Sequence, residues 1–380
     1  MSTDNNSGIA ARWKGRTNLL GLERSELEAF FASLGEKPFR ARQVMKWIYQ
    51  AGEDDFHRMT DLSKALRDKL NDVAEIRAPK IMTRQVSVDG TRKWLFGTDE
   101  QNGIETVFIP ERKRGTLCIS SQVGCVLDCT FCSTAQQGIN RNLSAAEIVG
   151  QVWLANRELG CTPKTGRAIT NVVFMGMGEP LANYRNVLAA LRILRDDLAY
   201  GLSKRKVTIS TSGLVPMLDK MIDEEEFALA ISLHAPNDAL RSQLMPINDR
   251  YPIAELLAAC RRYIEAGEMR QKHIYVEYVM LAGVNDKPEH ALELANLLRS
   301  LPCKVNLIPF NSFPGTTFKR SSKEDIDRFQ EILISKGIIT ITRRTRGEDI
   351  DAACGQLAGK VVNRSRKRAA ILEQRVGTQT

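Results

Sequence analysis

The segment TLCISSQVGCVLDCTFC, residues 116–132, runs from an apolar stretch into three closely spaced cysteines. Its first six residues have the composition of a buried strand, whereas the Gly-containing remainder is typical of a loop. Cys125, Cys129 and Cys132 lie in that loop with the spacing Cys-x3-Cys-x2-Cys. A closed zinc site or a fully ligated iron–sulfur cube needs a fourth ligand. The spacing therefore indicates a metal site with one open position.

Strand and helix patterns alternate along the chain after residue 116. The predicted strands are TLCISS, ITNVVFMG, KVTISTS, FALAISLHA, HIYVEYVML, KVNLIPFN and IITITRR, and the predicted helices lie near 143–159, 184–199, 214–223, 253–266, 288–299 and 323–336. Such alternation implies an α/β fold with a parallel sheet and right-handed crossovers. The sheet is either an open doubly wound sheet or a full or partial (β/α) barrel.

Polar or Gly-rich residues follow several of these strands. They are Gln122, Gly124 and the cysteines, then 177–180 (MGEP), 211–213 (TSG), 234–236 (HAP) and 311–312 (NS). Each group alone has an ordinary structural explanation, such as a tight turn or a helix cap. Functional groups in α/β folds gather at the carboxyl ends of parallel strands. Because all of these residue groups directly follow strands, together they predict a functional site along that edge of the sheet, which we call the rim.

The residues before 116 follow different patterns. Residues 22–78 carry apolar residues at helical spacing, with predicted helices Ser25–Leu34, Phe39–Gln50 and Leu62–Val73 and with Ser25 and Asp61 as predicted N-caps. In residues 80–110, short segments with an alternating pattern are separated by the turn signals Asp89-Gly90 and Asn102-Gly103, which predicts β-hairpins. The predicted domains are 1–20, a flexible N-terminus; 21–78, a helical accessory domain that binds RNA; 79–115, a β linker; 116–360, the α/β domain; and 361–380, a basic tail.

Composition limits the class of protein. The 380 residues are 43% hydrophobic, enough for a large core, and contain no apolar run of membrane-spanning length. The polar N-terminus has no signal-peptide pattern, so we expect a cytoplasmic protein that does not engage a membrane. Eight cysteines are too few for a disulfide scaffold. A net charge of +9 with repeated basic runs favours a nucleic-acid partner, although a solvated basic surface remains an alternative.

The cysteine spacing after the first strand resembles that of the radical S-adenosylmethionine (SAM) enzymes. The resemblance implies a partial (β/α)6-type barrel in which Cys125, Cys129 and Cys132 hold three irons of one [4Fe-4S] cluster. The fourth iron then binds the amino and carboxylate groups of the cofactor. A structural zinc site completed by a distant ligand is the alternative, but no Cys-x2-Cys or His-x3-His partner exists elsewhere in the sequence.

Longer motifs resemble one family among these enzymes, the bacterial adenine-C2 RNA methyltransferases of the RlmN type. The motifs are KPFRARQVMKWIYQ at 37–50, SSQVGCVLDCTFCSTAQQG at 120–138, VVFMGMGEP at 172–180, STSG at 210–213, ISLHAPND at 231–238 and TRGEDIDAACGQLAG at 345–359. The resemblance implies methylation of an adenine in the peptidyl-transferase centre of 23S rRNA and of the adenine 3′ of the anticodon in tRNA. Two alternatives stay open: C8 methylation of the same rRNA adenine, and a non-catalytic RNA-binding protein with a structural metal site.

The same resemblance implies a mechanism that uses two SAM molecules per turnover. One methylates Cys354; the other is cleaved reductively, and its 5′-deoxyadenosyl radical takes hydrogen from that S-methyl group. The resulting carbon radical adds to adenine C2 and forms a protein–RNA adduct. Glu105 matches the family's proton acceptor. Cys118 matches the thiol that releases the product and leaves a transient disulfide with Cys354.

The cofactor contacts and the partners are also implied by the resemblance. Gly178 and Glu179 match the pair that meets the methionine amino group. The remaining matched contacts are Ser210, Ser232, Leu233, His234 and Asn311. The expected partners are 23S rRNA, tRNA and an electron donor such as flavodoxin with its reductase, and the expected oligomeric state is a monomer.

Overall fold

The structure, a computed structural model, describes residues 15–161, 165–266 and 273–361. Most of the predicted flexible N-terminus and the basic tail from residue 362 onward therefore lie outside the described residues. None of the described helices is long and apolar enough to cross a membrane.

Three helices form the N-terminal part of the chain: α1 (Arg24–Ser33), α2 (Pro38–Tyr49) and α3 (Lys64–Val73). The short strands β1 (Thr17–Asn18) and β2 (Ala74–Glu75) pair in parallel and bring the two ends of this helical segment together. The three helices that the sequence predicted are thus confirmed, with shifted starts.

Both predicted helix caps are wrong. Helix α1 begins after Glu23, so that Ser25 lies within its first turn. Helix α3 begins after Ser63, whose side chain accepts a hydrogen bond from the Leu66 N–H. Asp61 instead accepts hydrogen bonds from Trp47 Nε1 at 2.6 Å and from Gln43 Nε2 at 2.9 Å. A carboxylate held by the side chains of a neighbouring helix is not available to cap the next one.

Ten strands form the main sheet. In chain order the remaining strands are β3 (Lys80–Val86), β4 (Arg92–Gly97), β5 (Gly103–Glu111), β6 (Arg114–Cys118), β7 (Gln122–Gly124), β8 (Ile139–Asn142), β9 (Asn171–Phe174), β10 (Val207–Thr211), β11 (Ala228–Ser232), β12 (Ile274–Met280), β13 (Cys303–Pro309) and β14 (Ile339–Thr342). The spatial order is β14-β13-β12-β11-β10-β9-β6-β5-β4-β3, while β7 and β8 form a separate hairpin. The predicted hairpins β3–β4 and β4–β5 are confirmed.

The strand order decides between the two predicted architectures. From β6 through β9 to β14, each new parallel strand is added on the same side of the previous one. Right-handed crossovers then place every connecting helix on one face, whereas a doubly wound sheet needs a reversal of strand order. Among the described residues β3 and β14 do not pair with each other, so the sheet is a partial barrel extended by three antiparallel strands.

The helices on the outer face agree with the predicted ones, and two short helices had not been predicted. The helices are α4 (Ser133–Gln136), α5 (Ala145–Glu158), α6 (Tyr184–Arg195), α7 (Val215–Glu224), α8 (Asp238–Leu244), α9 (Ile253–Ala266), α10 (Pro288–Leu298) and α11 (Lys323–Ser335). The short α4 and α8 follow strand ends at the rim. Their length gives too few turns for a visible helical period.

The N-terminal helices pack directly on the barrel. Leu19 and Leu20 are fully buried and belong to one continuous hydrophobic core with the barrel helices. Trp153 on α5 donates its indole N–H to the Ile48 carbonyl at 2.8 Å. That residues 21–78 form a separate domain stays a prediction. Because they share one hydrophobic core with the barrel, we expect their removal to lower the stability of the barrel.

A C-terminal segment, residues 343–361, crosses from the end of β14 to the antiparallel hairpins. We call it the closing segment. Lys93 on β4 donates to the Asp351 carbonyl at 3.2 Å, and Ser87 donates to the Asp349 carboxylate. Farther along, Lys360 and Gly103 form an isolated β-bridge. The segment thereby connects the two ends of the open sheet and carries Cys354 across the barrel mouth.

Candidate active site

The main cavity of the barrel lies at the carboxyl ends of the parallel strands, as the sequence predicted. The predicted site residues that line it are Cys125, Cys129, Cys132, Gly178, Glu179, Ser210, Ser232, His234 and Cys354. Residues far apart in the sequence meet here because seven parallel strands end at the same edge of the sheet. The common rim is therefore a property of the fold.

The three clustered cysteines share one wall of this cavity. Burial raises the pKa of each of the three thiols, and at Cys129 the neighbouring Cys132 and Cys125 raise it further. Such thiols stay protonated until a cation is bound beside them. The Leu127 N–H also points at Cys125 Sγ, 3.4 Å away. Backbone donors to cysteine sulfur are typical of iron–sulfur sites, so the donor set fits a cluster.

Among the described residues, no group of three His, Cys, Asp or Glu side chains is arranged to hold one metal ion. A zinc ion needs its ligands on one tetrahedron, whereas each iron of a cube takes one thiolate. The three cysteines that line the cavity match the thiolate count of a cluster with one open iron.

The Gly178–Glu179 turn places a carboxylate in the cavity. Gly178 has a φ of +96°, and a Cβ there would lie 2.5 Å from Gln122 Cβ, so the position requires glycine. Glu179 is 3% exposed. Its two oxygens accept backbone N–H groups from Leu181 at 3.0 Å and from Ser212 at 2.8 Å. Burial raises the pKa of Glu179 while these hydrogen bonds oppose the shift. A fixed carboxylate at this rim suits an ammonium group.

His234 lies two residues after the end of β11 and has a strained backbone with a φ of 58°. Its Nδ1 accepts the Val279 N–H at 3.0 Å, which leaves the ring proton on Nε2. Burial and, to a smaller extent, the nearby Arg241 guanidinium lower the pKa of His234 to about 3. The ring therefore serves the cavity as a neutral donor.

Arg241 is a site residue that sequence analysis missed. It is completely buried on α8, and its guanidinium donates to the carbonyls of Leu233, Ser212 and Ser232 at 2.7 to 3.2 Å. This cation ties the ends of β10 and β11 together beneath the rim. An arginine in a short helix carries no sequence signal for such a role.

Two residues that were predicted to contact the cofactor do not line the main cavity. Leu233 is buried away from the cavity, with its N–H bonded to the Glu277 carbonyl. Asn311 donates to the Cys354 carbonyl at 3.4 Å and accepts from Arg320 at 2.6 Å, so it anchors the closing segment. A direct contact of either residue with the cofactor stays a prediction.

A second, smaller cavity adjoins the main one at Cys354. Cys354 lines both cavities, and Cys118 lines only the second. Both cysteines are free thiols. Burial raises the pKa of Cys118 well above its ordinary range, the nearby Cys354 raises it further, and Arg343 opposes the shift. Cys354 therefore lies where the two cavities meet, and a group on its sulfur can be reached from either cavity.

Glu105 lies on β5 behind the closing segment. Its carboxylate pairs with Lys93 at 3.2 Å and accepts the Ala358 N–H at 2.8 Å. It lines neither cavity, but Val107, two residues along the same strand face, lines the second one. The predicted proton acceptor is therefore close to the second cavity and engaged by other groups.

Comparisons with known proteins agree with this architecture. Residues 17–76 match the ribosomal RNA large subunit methyltransferase N-terminal domain, and residues 119–295 match the radical SAM superfamily. A crystal structure of a radical SAM methyltransferase from Sphaerobacter thermophilus is 45% identical, with a TM-score of 0.83 over 90% of this chain and 99% of that one.

Other solved structures are more distant. A domain of pyruvate-formate lyase-activating enzyme from Bacteroides vulgatus is 22% identical, with a TM-score of 0.35 over 46% of this chain and 99% of that one. Streptococcus suis SuiB bound to S-adenosylmethionine is 17% identical, with a TM-score of 0.43 over 63% of this chain and 55% of that one.

Proposed function

Because this chain belongs to the RlmN-type radical SAM methyltransferases, we propose that it methylates C2 of an adenine in 23S rRNA and in tRNA. One observation carries the proposal: Cys354 borders both the cavity with the clustered cysteines and the cavity with Cys118. A methyl group on that sulfur can be loaded from the first cavity and delivered into the second.

The chemistry of the target explains why such a relay is needed. Adenine C2 is electron-poor and has no lone pair, so a polar attack on a sulfonium methyl has no workable nucleophile. When bound, the [4Fe-4S] cluster supplies the electron that cleaves S-adenosylmethionine reductively. Cys125, Cys129 and Cys132 would hold that cluster, and Glu179 would accept hydrogen bonds from the methionine ammonium.

Cys354 would carry the methyl group. Arg343 Nη1 donates a hydrogen bond to its sulfur at 3.5 Å. This contact holds the sulfur where the two cavities meet, so that it can face a sulfonium methyl in the main cavity. The methylated sulfur then lies beside the second cavity, where the adenine would enter.

Glu105 and Cys118 would complete the reaction on the side of the second cavity. Glu105 would take the C2 proton once its carboxylate releases the Ala358 N–H, and the adduct radical would give up one electron, which the bound cluster would accept. Cys118 would then attack the sulfur of Cys354 that carries the adduct. The S–S bond forms as the carbon–sulfur bond breaks, and the released carbon keeps the electron pair and takes a proton, which Glu105 would return, to become the methyl group. The resulting disulfide would need a reductant thiol before the next turnover.

RNA would contact the outer face of α2. Phe39 is 46% exposed, and the Arg40 guanidinium lies 4.6 Å from its ring centroid. Lys37 and Lys46 are exposed on the same helix or directly before it. An exposed aromatic ring among cations suits base stacking and phosphate contact. We expect Phe39→Ala to weaken tRNA binding in a filter-binding assay without loss of cluster iron.

The test is nucleoside mass spectrometry on unmodified 23S rRNA and tRNA after incubation with anaerobically reconstituted protein, S-adenosylmethionine and reductant. We expect 2-methyladenosine in both RNAs. The 8-methyl isomer would replace the proposal by the C8 alternative. A colourless preparation that holds zinc and no iron would instead support the non-catalytic alternative with a structural metal.

A further inference from the structure

Glu277 is a buried carboxylate in the main cavity to which the proposed reaction assigns no role. It lies on β12, is 3% exposed and lines the cavity wall. Its Oε1 accepts hydrogen bonds from Asn306 Nδ2 at 2.7 Å and from Arg343 Nη2 at 3.1 Å. Its Oε2 is buried and has no hydrogen-bond partner among the described residues. One oxygen is thus fixed while the other lacks a donor.

The strand register aims this carboxylate at the cavity. Ser232 on β11 pairs with Glu277, and Glu277 pairs with Asn306 on β13. Residues paired across parallel strands point to the same side of the sheet, and Ser232 also lines the cavity. With Asn306 and Arg343 holding Oε1, rotation of the carboxylate away from the cavity would break two hydrogen bonds. Buried acceptors normally have a donor, so the free oxygen indicates that a ligand supplies one.

The charge balance restricts the kind of donor. Arg343 already neutralises Glu277, so a second cation is not required at Oε2. The cationic group of the cofactor has its own carboxylate, Glu179, at the rim. Phe131 and Val279 give the cavity apolar walls suited to the purine ring. The neutral donors of the cofactor are the adenine amino group and the two ribose hydroxyls; with the purine against the apolar walls, we assign Oε2 to a hydroxyl, and ligands that lack one hydroxyl test this assignment.

We propose that Glu277 is a cofactor-binding residue whose free carboxylate oxygen accepts a hydrogen bond from a ribose hydroxyl of S-adenosylmethionine. The inference rests on the proposed function, since it assumes that this cofactor fills the main cavity. It adds a β12 residue to the rim contacts that the sequence predicted.

The experiment compares ligands that differ by one hydroxyl. S-adenosylhomocysteine, which has no methyl group to transfer, and its 2′-deoxy and 3′-deoxy forms are titrated by calorimetry into the cluster-loaded protein and into its Glu277→Gln variant. For the unsubstituted protein we expect one deoxy form to bind about tenfold or more weakly than the parent, since the bond is to a charged acceptor. In Glu277→Gln the parent should bind weakly, and loss of the same hydroxyl should change the affinity by less than about twofold.

Glu224→Gln is the matched control, because Glu224 lies on the outer helix α7 and pairs with Arg192. It should keep the full sensitivity to the hydroxyl. Iron content and melting temperature check that each variant is folded. If Glu277→Gln does not hold its cluster, Glu277→Asp, which withdraws the oxygen by one methylene, replaces it in the same comparison.

The inference is overturned if both deoxy forms bind the unsubstituted protein as tightly as the parent does. It is also overturned if the variant stays as sensitive to the missing hydroxyl as the unsubstituted protein. Failure of the parent ligand to bind the unsubstituted protein would instead overturn the proposed function itself.

Discussion

The Arg343 guanidinium lies 3.5 Å from the sulfur of Cys354, and the two residues belong to the same closing segment. The other guanidinium nitrogen binds Glu277 at 3.1 Å and Met175 Sδ at 3.4 Å. The candidate methyl carrier is therefore linked through one cation to the wall of the main cavity. Ligand contacts at Glu277 and the position of the Cys354 sulfur depend on the same side chain.

Substitution of Arg343 should slow the loading of Cys354. Arg343 Nη1 donates to the Cys354 sulfur and holds it where the two cavities meet, so Arg343→Gln should lower the rate of Cys354 methylation about tenfold. Intact-protein mass spectrometry follows the methyl group. Arg343→Lys keeps a donor at this position and should recover part of the rate; equal rates in all three proteins would exclude this positioning role.

Removal of the Cys354 sulfur should separate the two uses of the cofactor. Cys354→Ala should abolish methyl transfer to RNA, because no carrier remains at the junction of the two cavities. Cluster iron and reductive cleavage of S-adenosylmethionine should persist, since the three clustered cysteines are untouched. Liquid chromatography of 5′-deoxyadenosine measures the cleavage. Methylated RNA from this variant would refute the carrier assignment.

The α/β fold and the common rim could be predicted from the sequence because strand period and strand-end composition are local signals. Strand period alone left the partial barrel and the doubly wound sheet open, because it does not tell which strands pair; the resemblance to the radical SAM enzymes implied the partial barrel, which is confirmed. At the site, the spacing of Cys125, Cys129 and Cys132 predicted a metal site with one open position, and the resemblance to the radical SAM enzymes implied a cluster there. Arg241 and Glu277 were missed because a single charged residue in a helix or strand is usually exposed, and only tertiary packing buries these two.

Release of the product should depend on pH through Cys118. Burial raises the pKa of this thiol far above neutral, so the thiolate is the minor form and its fraction grows tenfold for each pH unit below that pKa. Decay of the protein–RNA adduct should therefore accelerate as the pH rises from about 6.5 to about 8.5. Denaturing gels of quenched single-turnover reactions measure the adduct. Cys118→Ala should accumulate it at every pH, whereas a flat profile would argue against a rate-limiting thiolate.

Gly178 offers a test of how closely the rim is packed. Gly178→Ala combines an unfavourable positive φ with a Cβ only 2.5 Å from Gln122 Cβ, whereas Gly283→Ala shares a positive φ of +72° but has nothing within 4 Å. Gly283→Ala, the control, should lower the free energy of unfolding only by the backbone strain, about 1 kcal/mol. Gly178→Ala should lower it by about 2 kcal/mol or more beyond that, because of the close contact with Gln122. It should also weaken binding of S-adenosylhomocysteine, because Glu179 follows in the same turn. Melting temperature and calorimetry measure the two effects. Equal losses of stability in both variants would mean that Gln122 moves aside and that the rim tolerates a side chain at this turn.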